Sequence, residues 1–181
     1  MIGLLTWTTW GTWLGEPARG WIDRGGVLRG DDPGALPGPD EEASRKRRRG
    51  LKWPAAMLTA DQRRLIIKDL RRIAELRRFE LMGLAATENC VRVLLACDDD
   101  RDIERLVQLI KGALSRMLTV AAGDAPASSP GGGSLVHHKW WPRHYSFLRV
   151  GDQPAQKAIV ETLRTGADAG ATVWIAGSGG E

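Results

Sequence analysis

The sequence predicts an α+β domain, and three observations carry that prediction. Short runs rich in Val, Leu and aromatic residues alternate with two long stretches whose apolar residues recur at helical period. Two of the short runs are separated only by the polar "TEN", a join that reads as a hairpin. A chain of 181 residues with 43% hydrophobic composition suffices for one packed core.

Residues 2–10, "IGLLTWTTW", are β-branched and aromatic and predict the first strand. "GEPARG" then breaks it. Residues 25–50 are Gly, Pro and charge, which predicts a long mobile loop carrying the basic run Arg45 to Arg49. The first helix is expected in "LTADQRRLIIKDLRRIAELRR", residues 58–78. Thr59 and Gln62 have capping-box spacing, and Leu65, Ile66, Ile67, Leu70, Ile73, Ala74 and Leu76 form a broad apolar stripe. "FELMGLAA" (79–86) and "CVRVLLAC" (90–97) follow as the hairpin strands.

The second helix is expected in "DIERLVQLIKGALSRML" (102–118). Its apolar side runs from Ile103 through Ile110 to Leu118. Glu104, Arg105, Gln108, Lys111, Ser115 and Arg116 make a polar outer face. Residues 121–134 read as a Gly/Pro/Ser linker. "KWWPRHYSFLRV" is strand-like but interrupted by Pro142, and "PAQKAIVETLRTG" predicts a last short helix ending at Gly166. The order β-α-β-β-α-β followed by a helix is the ferredoxin-like pattern, an antiparallel sheet with two helices on one face. One domain is expected over 1–166, with a Gly/Ala-rich tail at 167–181. In the strand after "TEN", Val91, Val93 and Leu95 are expected to face the helices. Cys90, Arg92 and Leu94 are expected on the opposite, open face.

The net charge is only +4, but 13 of the 26 Lys and Arg lie within residues 41–80. A local basic block favours a polyanionic partner; the alternative is a solvated helix face. Cys90 and Cys97 face opposite ways along one strand, which argues against a mutual disulfide and against a zinc site, and fits a reducing, cytoplasmic compartment. The first residues lack the basic n-region and cleavage site of a secretion signal. No apolar run approaches the roughly 20 residues of a membrane span.

Four segments carry a resemblance to a known family. "TWTTWGTWLGEPARGWIDR" resembles the opening of the single-tyrosine HUH transposases, of the insertion-sequence-200-like and REP-associated type. "IKGALSRML" and "KWWPRHYS" resemble two later family segments, and "ENCVRVLL" resembles the strand that bears the metal-binding motif. The resemblance covers residues 2–165. It implies DNA transposition chemistry: a tyrosine attacks a phosphodiester of single-stranded DNA, and a divalent metal, Mg or Mn, held by two His two residues apart polarises the phosphate. It also implies a DNA partner, single-stranded or hairpin, and admits a homodimer.

This chain departs from that pattern at the catalytic positions. Cys90 and Arg92 fall where the two His belong, Glu161 or a neighbour where the tyrosine belongs, and Thr165 near a metal-binding Gln. A thiolate can bind a metal; a guanidinium has no acceptor and is permanently charged. Neither a catalytic residue nor a metal site is therefore expected to be retained, and no cofactor. Arg92 and Glu161 are expected to approach each other as a replacement ion pair; the alternative is that both point into water. His137 and His138 are adjacent and point apart on extended chain, so they do not make one metal site. The single tyrosine, Tyr145, beside His144, is expected to pack or hydrogen-bond on the sheet; the competing role is a relocated nucleophile.

The resemblance leaves Arg19, Trp21, Lys111, Ser115, Arg116, Lys139 and Arg143 as the expected phosphate and stacking contacts. Trp7 and Trp10 are expected in the core or in a dimer contact, and one of Trp140 and Trp141 at the surface. Three functions remain: a transposase-like DNA-binding protein without nicking activity, a hairpin DNA or RNA-binding module on the same fold, or a nuclease rebuilt around Tyr145 and His144. The aromatic pattern of RNA-recognition sheets is absent from "CVRVLLAC".

Overall fold

A computed structural model describes residues 1–12, 21–22, 28–29, 49, 55–123, 139–168 and 170–177. The architecture is α+β, with a five-stranded antiparallel sheet and three helices. Strand β1 is Ile2–Thr8. β2 (Trp21–Ile22) and β3 (Leu28–Arg29) pair as a separate short ribbon. Helix α1 (Ala60–Arg77), strands β4 (Glu80–Ala86) and β5 (Cys90–Ala96), helix α2 (Ile103–Ala121), strand β6 (Ser146–Val150), helix α3 (Gln153–Asp168) and strand β7 (Thr172–Ile175) follow. The sheet order is β6-β1-β5-β4-β7.

The period-2 alternation of β5 builds the two layers. Val91, Val93 and Leu95 are buried with Ile66, Leu70 and Ile73 of α1 and Leu106, Ile110 and Leu114 of α2. Full burial of each such side chain contributes roughly 1.5–3 kcal/mol. A one-residue slip would lose all three and push Arg92 into that layer, so the register is firmly set. The even residues face the other way. There Leu94 and Ala85 pack under Leu163 of α3, with Ile175 of β7. Two helices thus cover one face, and the third covers part of the other. The expected open face is a half-roofed one.

Local signals held where they were explicit. Thr59 caps α1, accepting from the Gln62 amide at 3.2 Å while the Gln62 side chain accepts from the Thr59 amide at 2.9 Å. The "TEN" turn closes the hairpin through Thr87 N–H to Cys90 O, 2.9 Å. Other expectations need correction. Thr172–Ile175 forms a strand on the edge of β4, pairing Val173 with Ala85 and Ile175 with Gly83. The segment 167–181 is therefore in part a sheet element, because "TVWI" can bury Ile175 while Trp174 lies under the Arg71 guanidinium, 5.2 Å away. Leu65 and Leu76, on the apolar stripe of α1, are exposed, as is Leu109 of α2. The linker beyond Gly123 and most of 25–50 lie outside the described residues.

A Cβ at Gly3 would lie 2.2 Å from Phe147 Cζ, so the Phe147 ring of β6 packs over β1 in the space that a side chain there would claim. Helix α1 ends on Arg78 at φ 54, a left-handed residue whose amide reaches Ala74 O and Glu75 O. The left-handed region costs an L-residue about 1–2 kcal/mol. Glycine avoids that cost but gives back about 0.5–1 kcal/mol in unfolded-state entropy. Arg78→Gly is therefore expected to raise stability by about 0.5–1 kcal/mol net, read as a higher urea midpoint at unchanged m-value. A lower midpoint would mean that the Arg78 side chain contributes more than its backbone strain costs.

Candidate functional site

The sheet face not covered by α1 and α2 holds a cleft of about 750 Å³. Its floor follows directly from strand register. Arg92 of β5 pairs with Thr6 of β1 on one side and Ala85 of β4 on the other, and Thr6 pairs in turn with Ser146 of β6. Ala85, Arg92, Thr6 and Ser146 thus form one row across four strands. Cys90 and Thr8 form the next row, toward the rim. Leu4 lies at the apolar end, roofed by Ile159 and Leu163 of α3. Thr12, Thr87, Asn89, His144 and Tyr145 complete the polar end.

The rim is a tie of four chain segments. Gly11, at φ 74, turns the chain after β1, and the Thr9 amide donates to Asn89 O at 2.9 Å. Thr9 is fully buried, and its hydroxyl bonds the Thr12 hydroxyl at 3.0 Å. Trp10 N–H donates to Trp140 O, and Ala56 N–H to Trp10 O, both at 2.8 Å. Trp7 and Trp141 meet edge to face with centroids 6.0 Å apart, and the Lys139 ammonium sits 3.8 Å above the Trp10 ring. The segments around "TWTTWGT", "KGALSR", "KWWPRHYS" and "ENCVRV" therefore converge at one place.

Lys111 is the fastener. It was expected on the outer basic face of α2, yet it is only 8% exposed. Its Nζ donates to Pro142 O at 2.5 Å, His144 O at 3.1 Å and Arg143 O at 3.4 Å. Burial lowers its pKa to about 8, while the three carbonyls favour the charged form. Lys111 therefore leaves the list of phosphate contacts. Wheel geometry missed this because its acceptors lie more than thirty residues away in a segment without regular structure.

Other expectations divide. Cys90 and Arg92 do share a face and both line the cleft. Glu161 does not join Arg92: its side chain is 65% exposed and pairs with Arg164 at 3.6 Å. Thr162, one residue on, lines the cleft instead. Thr165 is exposed and bonds Thr162 O. Ser115 and Arg116 lie on α2, across the sheet from the cleft, and Arg143 is exposed beside His144. Both Trp140 and Trp141 are buried, at 5% and 7%. The alternation argument failed for them because residues 139–145 are not a strand. Arg19, His137, His138 and the Trp21 side chain lie outside the described residues.

The chemistry of the cleft is cationic and hydroxylic. No Asp or Glu is among the described side chains that line it. Arg92 is exposed and makes no hydrogen bond or ion pair among the described residues. Burial raises the Tyr145 pKa, and the Glu104 and Asp102 carboxylates raise it further, so at neutral pH the phenol stays protonated. That environment opposes a phenolate nucleophile. A divalent metal does not fit either. Among the described residues that line it, Cys90 and His144 are the thiol and imidazole ligands, a guanidinium shares the floor, and no group of three His, Cys, Asp or Glu gathers. Neither cysteine is in a disulfide.

No protein-family profile and no curated protein matches this chain. Seven solved chains resemble it. One is the crystal structure of a "putative transposase" from Deinococcus radiodurans R1, at 17% identity and a TM-score of 0.44, covering 91% of this chain and 89% of that one. Superposition at that level leaves the reading of the cleft to this chain's own residues. Among those described, no helix is long and apolar enough to cross a membrane.

Replacing Lys111 by Met keeps the aliphatic stem and removes the donors. Lys111→Met is expected to cost about 1–3 kcal/mol, the range for leaving buried polar partners unsatisfied. Urea denaturation reads this directly. A midpoint equal to that of the parent would show that the three carbonyls find water instead.

Proposed function

We propose that this chain is a transposase-like DNA-binding protein that holds single-stranded or hairpin DNA without nicking it. The observation that carries the reading is the content of the cleft: Cys90 and Arg92 stand together where the resemblance calls for two metal-binding His, and no described carboxylate lines it. Metal-activated attack on a phosphodiester needs ligands that this floor lacks. The helix beside it offers Ile159, Thr162 and Leu163 to the cleft, none of them a nucleophile of the required kind.

The adjacency of β6, β1, β5 and β4, all antiparallel, supports the ferredoxin-like reading of those four strands, with β7 as an addition. The exposed Arg143, beside His144 of the rim, extends the cationic surface outward from Arg92. Apolar residues line one end of the cleft and polar ones the other, which suits a sugar and base next to a phosphate. A DNA partner and two thiols outside any disulfide fit a cytoplasmic protein. The function needs no cofactor.

The test is a gel shift and a cleavage assay on one hairpin oligonucleotide with a single-stranded flank. Binding is expected without any cleaved product or covalent protein–DNA band in magnesium or manganese. Affinity should fall with salt, by about 0.7 in log–log slope for each single-strand phosphate contacted. Arg143→Glu should flatten that slope by about one such increment or more. A covalent band that disappears in Tyr145→Phe would contradict the non-nicking reading, and failure to bind at low salt would contradict the DNA-binding one.

A further inference from the structure

We propose that Arg92 binds a backbone phosphodiester of a single-stranded nucleic acid directly, at the position where the resembled enzymes use a divalent metal, so that binding is metal-independent. This rests on the DNA-binding reading above and deepens it by naming the group that the cleft holds.

The first support is the state of the guanidinium. Arg92 stands on the cleft floor, exposed, with no acceptor among the described residues. The acid expected to neutralise it, Glu161, is engaged with Arg164. A guanidinium presents a planar fork of donors that matches two phosphate oxygens. One phosphodiester carries one negative charge, so the pair is neutral.

The second support is the row in which Arg92 sits. Thr6 is its partner on β1, and Ser146 is the next residue along the row on β6. Strands lie about 4.8 Å apart, so the two hydroxyls continue the line of donors begun by the guanidinium. On the other side Ala85 presents only a methyl group, which leaves space beside the Arg92 stem. No lining carboxylate repels an anion. An unpaired cation beside two hydroxyls calls for an acceptor-rich anion.

The third support is size. A volume of about 750 Å³ lies in the range of small-ligand pockets. It admits one or two nucleotides, and a duplex is too wide to enter. Leu4 and Ile159, half-buried at the apolar end, supply a surface for a base released from stacking.

The experiment measures anisotropy of a labelled single-stranded oligonucleotide with the full chain, in EDTA and again in magnesium. Affinities in the two buffers are expected to agree within about twofold. A charge-assisted hydrogen bond contributes about 1.5–3 kcal/mol, so Arg92→Gln should weaken binding roughly tenfold to a hundredfold. Arg92→Lys, which keeps the charge but loses the fork, should recover part of that loss. Lys68→Gln, an exposed site on α1, removes the same charge and should stay within about twofold of the parent. The dinucleotide TpT should compete with the label on the parent protein, and its uncharged methylphosphonate analogue should not. This competition does not depend on any variant folding. If the parent binds but Arg92→Gln binds equally well, or both dinucleotides compete alike, the cleft assignment falls while the DNA-binding reading stands. Binding that requires magnesium overturns the metal-independent clamp. No binding by the parent in either buffer overturns both.

Discussion

The alternation of β5 is the constraint on which the rest depends. Val91, Val93 and Leu95 are locked between the sheet and two helices, with exposures near zero. Once they are fixed, Cys90 and Arg92 have one place to go, the opposite face. β5 pairs along its length with both β1 and β4, so its register also sets which residues of those strands reach the cleft. Thr6 and Thr8 enter it because Trp7 and Leu5 are in the core. A hydrophobic argument thus places a polar row.

The rim depends on a different kind of contact. Residues 139–145 have no regular structure to satisfy their backbone, and three of their carbonyls are met by one ammonium. That ammonium belongs to α2, whose other side packs in the core. Lys111 therefore ties the rim to the helix layer through the edge of the sheet. The Trp7–Trp141 pair and the Lys139–Trp10 contact make the same connection from β1. His144, Tyr145 and Ser146 leave this anchored stretch together and supply one wall of the cleft.

Much of the frame was legible in the sequence because its signals are local. The capping box of α1, the "TEN" turn and the period of α2 each act over a few residues. The shared face of Cys90 and Arg92 was legible for the same reason, since a strand of period two has no other option. What escaped depends on distant partners or on chain without a period. Lys111 looks like a surface residue until the acceptors arrive from the segment before β6. Trp140 and Trp141 alternate only if their segment is a strand. Glu161 and Thr162 differ by one step of about 100° on α3, enough to separate a solvent-facing acid from a hydroxyl in the cleft. The strand β7 is short and flanked by Gly and Ala, and its place comes from an edge of β4 left open to it.

The account's central claim is that an anion lies on the cleft floor against Arg92. The most direct measurement is an NMR titration of isotope-labelled protein with a short single-stranded oligonucleotide in EDTA. The Arg92 Nε–H signal and the Asn89 side-chain amide are predicted to shift together and saturate at one ligand concentration. Shifts confined to amides on the exposed side of α2, around Gln108 and Arg116, with Arg92 and Asn89 unmoved, would contradict it.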